Sequence, residues 1–281
     1  MEKHTLWRHA GRGAHHVGQW LSCACRAVIR LLVVASMAFG CNAGAQVNAD
    51  EAPAASERWS FRLTPNLWAA GLDGRIRTRA HLPAADVDVG FSEIWDHLDL
   101  ALMLTGEARR GNLVLLADVN YLALNADAAT RGPLFDGADV DSDVFFATLG
   151  AGYLLVERPR GSLHGGIGAR IWSVSNDLTL KSGRLPEQRS GVDRDWIDPI
   201  VAVAGRLEIG PGYHLAGYAD VGGFGAASDM TWQAYAAISY AISPSISLQA
   251  GYRYLSVDYQ HDGFIFDVNL KGPMVGVGFS F

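Results

Sequence analysis

Cysteine is confined to the first 41 residues of this 281-residue chain, at Cys23, Cys25 and Cys41. That distribution excludes a disulfide scaffold, a cysteine zinc site or a thiol nucleophile in the body of the protein. Long apolar runs are missing as well. Nowhere after Gln46 do 18 apolar residues stand together, so no helix spans a bilayer, which takes ~20 of them. Charge is sparse at 19%, and base is scarcer than acid, with 23 Lys and Arg against 29 Asp and Glu. What is present is apolar residue, at 49%, and 32 scattered glycines without a collagen period. That composition excludes a disordered chain, and the length suits one large domain or two small ones.

Residues 1–45 have the composition of an export signal. Lys3, Arg8, Arg12, Arg26 and Arg30 face a single acid, Glu2. An uncharged stretch, Leu31–Gly40, follows, and Ala43-Gly44-Ala45 supplies small residues for cleavage before Gln46. So long a basic region is also what a start assigned upstream of the true one would give. A lipoprotein would be acylated at Cys41, but Phe39 is bulky where a lipobox needs a small residue. Removing the leader takes 23 bases to 18 and 29 acids to 28, a mature net charge of −10. Nucleic acid needs a basic surface and is therefore not an expected partner.

The remainder alternates with period two over stretches separated by turn residues. In 112–125, Leu113, Leu115, Ala117, Val119 and Tyr121 share one face, while Asp118 and Asn120 share the other. In 196–209, Val201, Val203, Leu207 and Ile209 oppose Asp198, Arg206 and Glu208. In 213–225, Tyr213, Leu215, Ala219 and Val221 oppose His214 and Asp220. Strands are expected near 59–70, 99–110, 112–125, 142–156, 162–178, 196–209, 213–225, 230–242, 246–260 and 264–281. Their connections alternate: short at Arg110-Gly111, 157–161, Gly210-Pro211-Gly212 and Ser243-Pro244-Ser245, long near 126–141, 179–195, 225–229 and 260–263.

Dyad-patterned strands joined by alternating short and long connections are the signature of a transmembrane antiparallel β-barrel of the bacterial outer membrane. The sequence therefore divides into a signal (1–45), an N-terminal periplasmic segment (46–58) and an all-β barrel domain (59–281). A secreted β-sandwich would also alternate, but its outer faces would not be so uniformly apolar. With short turns in the periplasm, ten strands bring the chain end back to that side. A strand within 74–90 would make eleven, and bacterial barrels are even-numbered, so twelve is the alternative. Ser92–Leu98 reads as a short helix, with Ser92 as N-cap and Glu93 in its first turn.

Several segments together resemble a known family. They are Thr64–Gly74 (TPNLWAAGLDG), Asp195–Pro199 (DWIDP), Asp220–Gly225 (DVGGFG), Gly251–Leu255 (GYRYL) and Lys271-Gly272-Pro273 before the closing strand. As a set, over 59–281, they are similar to a proteobacterial family of small outer-membrane β-barrel proteins, broadly OmpA- and OmpW-like. The resemblance implies fold and location and carries no catalytic residue. It is consistent with the chain end, where Val275, Val277, Phe279 and Phe281 share one parity. A terminal aromatic strand is what the barrel assembly machinery recognises, so Phe279 and Phe281 are the expected assembly signal. Outer-membrane lipid is the other expected partner.

On the polar parity the expected lumen charges are Glu107, Asp118, Asp198, Glu208 and Asp220, against Arg62, Arg109, Arg170, Arg206 and Arg253. Five against five implies a salt-bridged interior, because buried charges must be paired and arginine's fork suits carboxylates. Ten strands also enclose a narrow lumen. A structural, general envelope role follows, with a narrow channel or conduit for ions or small hydrophobic molecules as the alternative. A tight turn at Arg110-Gly111 would place Thr105 opposite Asp118 and Arg109 opposite Val114. The partner of Asp118 then comes from across the lumen, as Arg170 or Arg253. The aromatics Tyr121, Phe145, Tyr153, Tyr240, Tyr252 and Tyr254 lie on the apolar parity, as an interfacial girdle would.

Two patterns suggest chemistry. Asp139-Val140-Asp141-Ser142-Asp143 has a D-x-D-x-D spacing, yet Val144 and Gly150 stand where an EF-hand needs glycine and glutamate. It reads as a solvated acidic loop. His164 lies near Ser162, and His214 shares a strand face with Asp220, but six residues put those two ~20 Å apart. With neither G-x-S-x-G nor H-E-x-x-H present, the expectation is a non-enzyme with no cofactor and no metal.

Overall fold

In the computed structural model the described residues are 58–78, 84–128 and 135–281. The expected export signal and nearly all of the periplasmic segment lie outside them. The elements are β1 (Ser60–Trp68), β2 (Gly71–Arg77), β3 (Ala85–Val89), α1 (Phe91–Asp96), β4 (Leu98–Arg110), β5 (Leu113–Ala128) and β6 (Phe135–Arg158). They continue as β7 (Gly161–Ser182), β8 (Gln188–Gly210), β9 (Tyr213–Gly222), β10 (Met230–Ser243), β11 (Ile246–His261) and β12 (Phe264–Ser280). From β4 to β12 each strand pairs with its sequence neighbours, and β1 pairs with both β4 and β12. The result is a closed antiparallel barrel of ten strands. No helix among the described residues is long and apolar enough to cross a membrane.

The alternation drives closure by giving the sheet two different faces. Leu115, Leu155, Ile167, Val203 and Val275 stand exposed on the outside, Ile167 at 71%, while the opposite parity turns Asp118, Arg170 and Arg253 inward to 6% exposure or less. Burying those outer side chains would need a second sheet, and the barrel has none. Lipid is the medium that suits them, and the protein is a transmembrane β-barrel of the Gram-negative outer membrane. The aromatics Tyr153, Tyr213, Tyr240 and Tyr252 are exposed on this outer face. The four short turns and both ends of β1 and β12 near Ser60 and Ser280 share the periplasmic end. Two of these turns rest on Gly111 (φ 56°) and Gly212 (φ 77°), left-handed positions that favour glycine.

The stretch 74–90 resolves the strand count. Trp68 sits opposite Met274 and Gly71 opposite Lys271, one continuous register along β12. β2 is therefore the outward continuation of β1 after a break at Ala69-Ala70. β1 leaves β4 beyond Pro65, and β2 takes β3 as its new neighbour. The Trp68 N–H, freed from a strand partner on the β4 side, donates to Met103 Sδ at 3.2 Å. Above this level the sheet order ends at β3, and α1 carries the chain across to β4.

Prolines explain the break. Phe61 and Phe281 exchange both backbone hydrogen bonds, so every second residue from there bonds across the β1–β12 seam. Pro65 and Pro273 both fall on bonding positions and have no N–H to give. The ladder skips Thr64 and Pro65 and stops at Trp68. Gly272 serves the same spot, since a Cβ there would lie 2.0 Å from the Ala69 carbonyl oxygen.

Three expectations need correcting. The helix is capped by Gly90 with no side-chain cap bond, not by Ser92, although Glu93 does lie in its first turn. Residues 135–141 and much of 179–195 are strand rather than loop, in β6, β7 and β8 of 24, 22 and 23 residues. A membrane crossing takes ~10 residues, so these hairpins stand far above the bilayer. Both their faces are polar there, which hides the alternation. Asp139, Asp141 and Asp143 consequently lie along β6. Lys181 Nζ reaches Asp139 at 2.6 Å and Asp127 at 2.9 Å, and the Tyr121 hydroxyl donates to Asp143 at 2.8 Å.

Candidate functional site in the barrel lumen

Counted in residues from the periplasmic turns, the lumen is filled in layers. In the middle, Arg253 Nη2 donates to Asp118 Oδ2 and to Gln233 Oε1, both at 2.6 Å. Asp118 also accepts from Thr105 Oγ1 at 3.0 Å and Asn120 Nδ2 at 2.9 Å. The register is Thr105 opposite Asp118, Glu107 opposite Leu116 and Arg109 opposite Val114. β5 and β11 stand on opposite walls, so this ion pair is a strut across the lumen. The Arg253 guanidinium also lies 4.6 Å from the Trp68 ring centre and 5.6 Å from that of Phe146.

A second strut stands beside it, shorter and along one wall, from β7 to β9 past β8. Arg170 Nη2 donates to Asp220 Oδ2 at 2.6 Å, with both side chains fully buried. Its other nitrogens donate to Thr148 Oγ1 at 3.2 Å and Thr231 Oγ1 at 2.9 Å. Asp198 faces Arg170 in register but is spent otherwise. It accepts from the Ser228 N–H at 2.8 Å and hydroxyl at 2.7 Å, and from Trp196 Nε1 at 3.2 Å. It thereby ties the β9–β10 loop to the inner wall. Desolvating these charges costs several kcal/mol each, and only such dense hydrogen bonding offsets it.

Above the struts the filling turns aromatic. Phe146 stacks on Trp172 at 4.8 Å, Trp172 on Trp196 at 5.5 Å and Trp196 on Tyr259 at 4.1 Å, with Phe266 edge-on to both tryptophans at 5.9 Å. β9 is only ten residues long, so the upper part of β8 lacks a neighbour on that side. The Trp196–Tyr259 stack bridges this low wall from β8 to β11. Leu255, Val257 and Val268 complete the packing at 0% exposure. Sequence reasoning missed this plug entirely. Its signal was there: Trp172, Trp196 and Phe146 fall on the parity that lower down carries charge, a clash between side-chain type and strand face.

Below the struts, Arg109 holds Glu107 in a two-pronged pair, 2.6 Å from Nε to Oε1 and 3.1 Å from Nη2 to Oε2. Arg62 Nε donates to Ser280 Oγ at 3.2 Å. Arg206 points inward without an ion pair among the described residues, and Glu208 is exposed. The ten lumen charges are thus not paired one to one. Phe279 and Phe281 stand on the outer periplasmic rim, 42% and 71% exposed. Among the described residues no group of three His, Cys, Asp or Glu is placed to hold a metal ion.

Neither protein-family models nor curated proteins match this chain. Solved structures do. The outer-membrane protease OmpT of Escherichia coli is 10% identical over 80% of this chain and 97% of its own, with a TM-score of 0.53. Neisserial surface protein A is 14% identical, over 79% and 97%, at a TM-score of 0.31. The attachment invasion locus protein Ail of Yersinia pestis is 13% identical, over 80% and 99%, also at 0.31. At such identity the likeness to OmpT concerns the barrel fold alone.

Proposed function

We propose that this protein is a structural, general envelope component whose lumen is sealed, a non-enzymatic relative of the small OmpA- and OmpW-like barrels. The observation that carries the reading is the pair of struts, Asp118–Arg253 and Arg170–Asp220, lying beneath a continuous aromatic plug. A water-filled pore leaves its charges hydrated and in rings of one sign. Here opposite charges meet at 2.6 Å with almost no solvent exposure, one pair reaching across the lumen from β5 to β11 and the other spanning β7 to β9 along the wall. Assembly proceeds through the C-terminal strand, with Phe279 and Phe281 presented to the assembly machinery, and the exposed apolar wall is then taken up by outer-membrane lipid.

The alternative, a narrow conduit for ions or small hydrophobic molecules, draws on two features. The upper lumen is lined by rings, and the wall beside it is interrupted between β3 and β4. Liposome swelling separates the two readings. Proteoliposomes carrying the purified barrel should swell no faster in small sugars than protein-free vesicles, and rapid swelling overturns the sealed reading.

A further inference from the structure

The lumen's periplasmic mouth is built differently from the rest. One cavity of about 410 Å³ opens there, lined by Arg62, Arg109 and Arg206 together with Glu107, Ser60 and Ser280. Three guanidinium groups share it with the Glu107 carboxylate, already gripped by both prongs of Arg109, and with the α-carboxylate of Phe281, which accepts from the Phe61 N–H. Arg62 spends one nitrogen on a neutral hydroxyl. Arg206 has neither hydrogen bond nor ion pair among the described residues, and the charges that act on it are Arg62, Arg109 and Glu107. Only Glu107 comes within ion-pair distance of any of the three guanidinium groups among the described residues. The chain as a whole is acidic, so a net positive pocket is not a reflection of composition.

We infer that this mouth is an oxyanion site, with Arg206 and Arg62 as its primary ligands and a phosphate group as the chemistry it fits. Guanidinium is planar, always charged and less strongly hydrated than ammonium, which makes it the natural partner of phosphate oxygens. Gathering three of them in a half-enclosed cavity is unfavourable without a counter-charge. A bound phosphate anion supplies counter-charge and uses the free donors of Arg206 and Arg62 at once. Arg109, tied to Glu107, adds field rather than hydrogen bonds. The phosphate has two possible sources: a free solute of the periplasm, or the headgroup of an inner-leaflet lipid, which the outward rings of Phe61 and Phe281 beside the cavity would admit. The site stands whether or not the upper lumen conducts.

The test uses the full folded chain in a non-ionic, phosphate-free detergent, reading the arginine Nε–Hε resonances during titration. One arm adds inorganic phosphate and the other adds dihexanoyl phosphatidylglycerol below its micelle concentration. A saturable shift of Arg206 and Arg62, weakened at least tenfold by Arg206→Gln and unchanged by Arg75→Gln at the far end, is expected. Saturation in the first arm identifies a free phosphate, and saturation in the second alone identifies a lipid headgroup. Should Arg206→Gln fail to fold, Arg62→Gln and the wild-type curve decide. Linear shifts in both arms, or binding indifferent to both substitutions, overturn the site.

Discussion

Replacing Asp118 with alanine isolates the strut on which the sealed lumen depends. Arg253 is 2% exposed and loses the one carboxylate that it pairs with among the described residues. It keeps Gln233 Oε1, a longer bond to Asn120 Oδ1 at 3.4 Å, and the faces of Trp68 and Phe146. Breaking a buried pair from one side costs roughly 3–5 kcal/mol, and these residual contacts place the loss near the lower figure. About 3 kcal/mol is some two decades in the folding equilibrium, at ~1.4 kcal/mol per decade. The double variant Asp118→Ala/Arg253→Met removes both charges and should recover most of the loss, since apolar replacement of a buried pair is often neutral. The assay is the heat-modifiable gel shift, in which the folded band of Asp118→Ala converts to the unfolded position at a lower temperature than wild type and the double variant falls between them. An unchanged conversion temperature for Asp118→Ala means that water already solvates Arg253, and refutes the strut.

Gly272→Ala should impair closure of the β1–β12 seam, because its Cβ would meet the Ala69 carbonyl oxygen at 2.0 Å; overpacking of ~1–3 kcal/mol or more should appear as a smaller folded fraction on the same gel. Hydrogen exchange should find the amides of 61–67 and 275–279 less protected than those of the β6–β7 ladder, since Pro65 and Pro273 remove seam donors. At the outer tip of β5, hydrogen bonding from Lys181 holds the Asp127 carboxyl below its usual range, with Asp139 contributing. A depressed carboxylate contributes stability above its unfolded pKa and loses it as pH falls through the folded one, so this contact persists at pH 5 and fails only in stronger acid. Carbon-13 titration should show the Asp127 midpoint rising toward the ordinary carboxylate value in Lys181→Met.

The membrane-spanning half of the barrel was legible because lipid outside and a polar lumen inside impose period two, and turn residues fix the register. Thr105 opposite Asp118 follows from Gly111 alone, and parity plus the need to pair a buried charge narrows the partner of Asp118 to Arg170 or Arg253, between which only the structure chooses Arg253. Legibility ended where the two faces cease to differ. Above the bilayer Asp139, Asp141 and Asp143 alternate with other tolerated residues, so β6 looks like loop, and the same holds for the outer residues 188–195 of β8. The plug was hidden for the opposite reason, since Trp172 and Trp196 are apolar residues on the inner face, where only the three-dimensional stack explains them. Glu208 and Arg206 show the limit of charge counting, because parity places a side chain on a face without saying what it meets there.

Single-channel recording across a planar bilayer tests the sealed lumen most directly. With the purified, folded barrel inserted in symmetric potassium chloride, the account predicts a baseline without steady conductance steps, because the Asp118–Arg253 and Arg170–Asp220 struts and the aromatic stack leave ions no continuous water path. Long-lived, uniform conductance steps from the wild-type protein would contradict it.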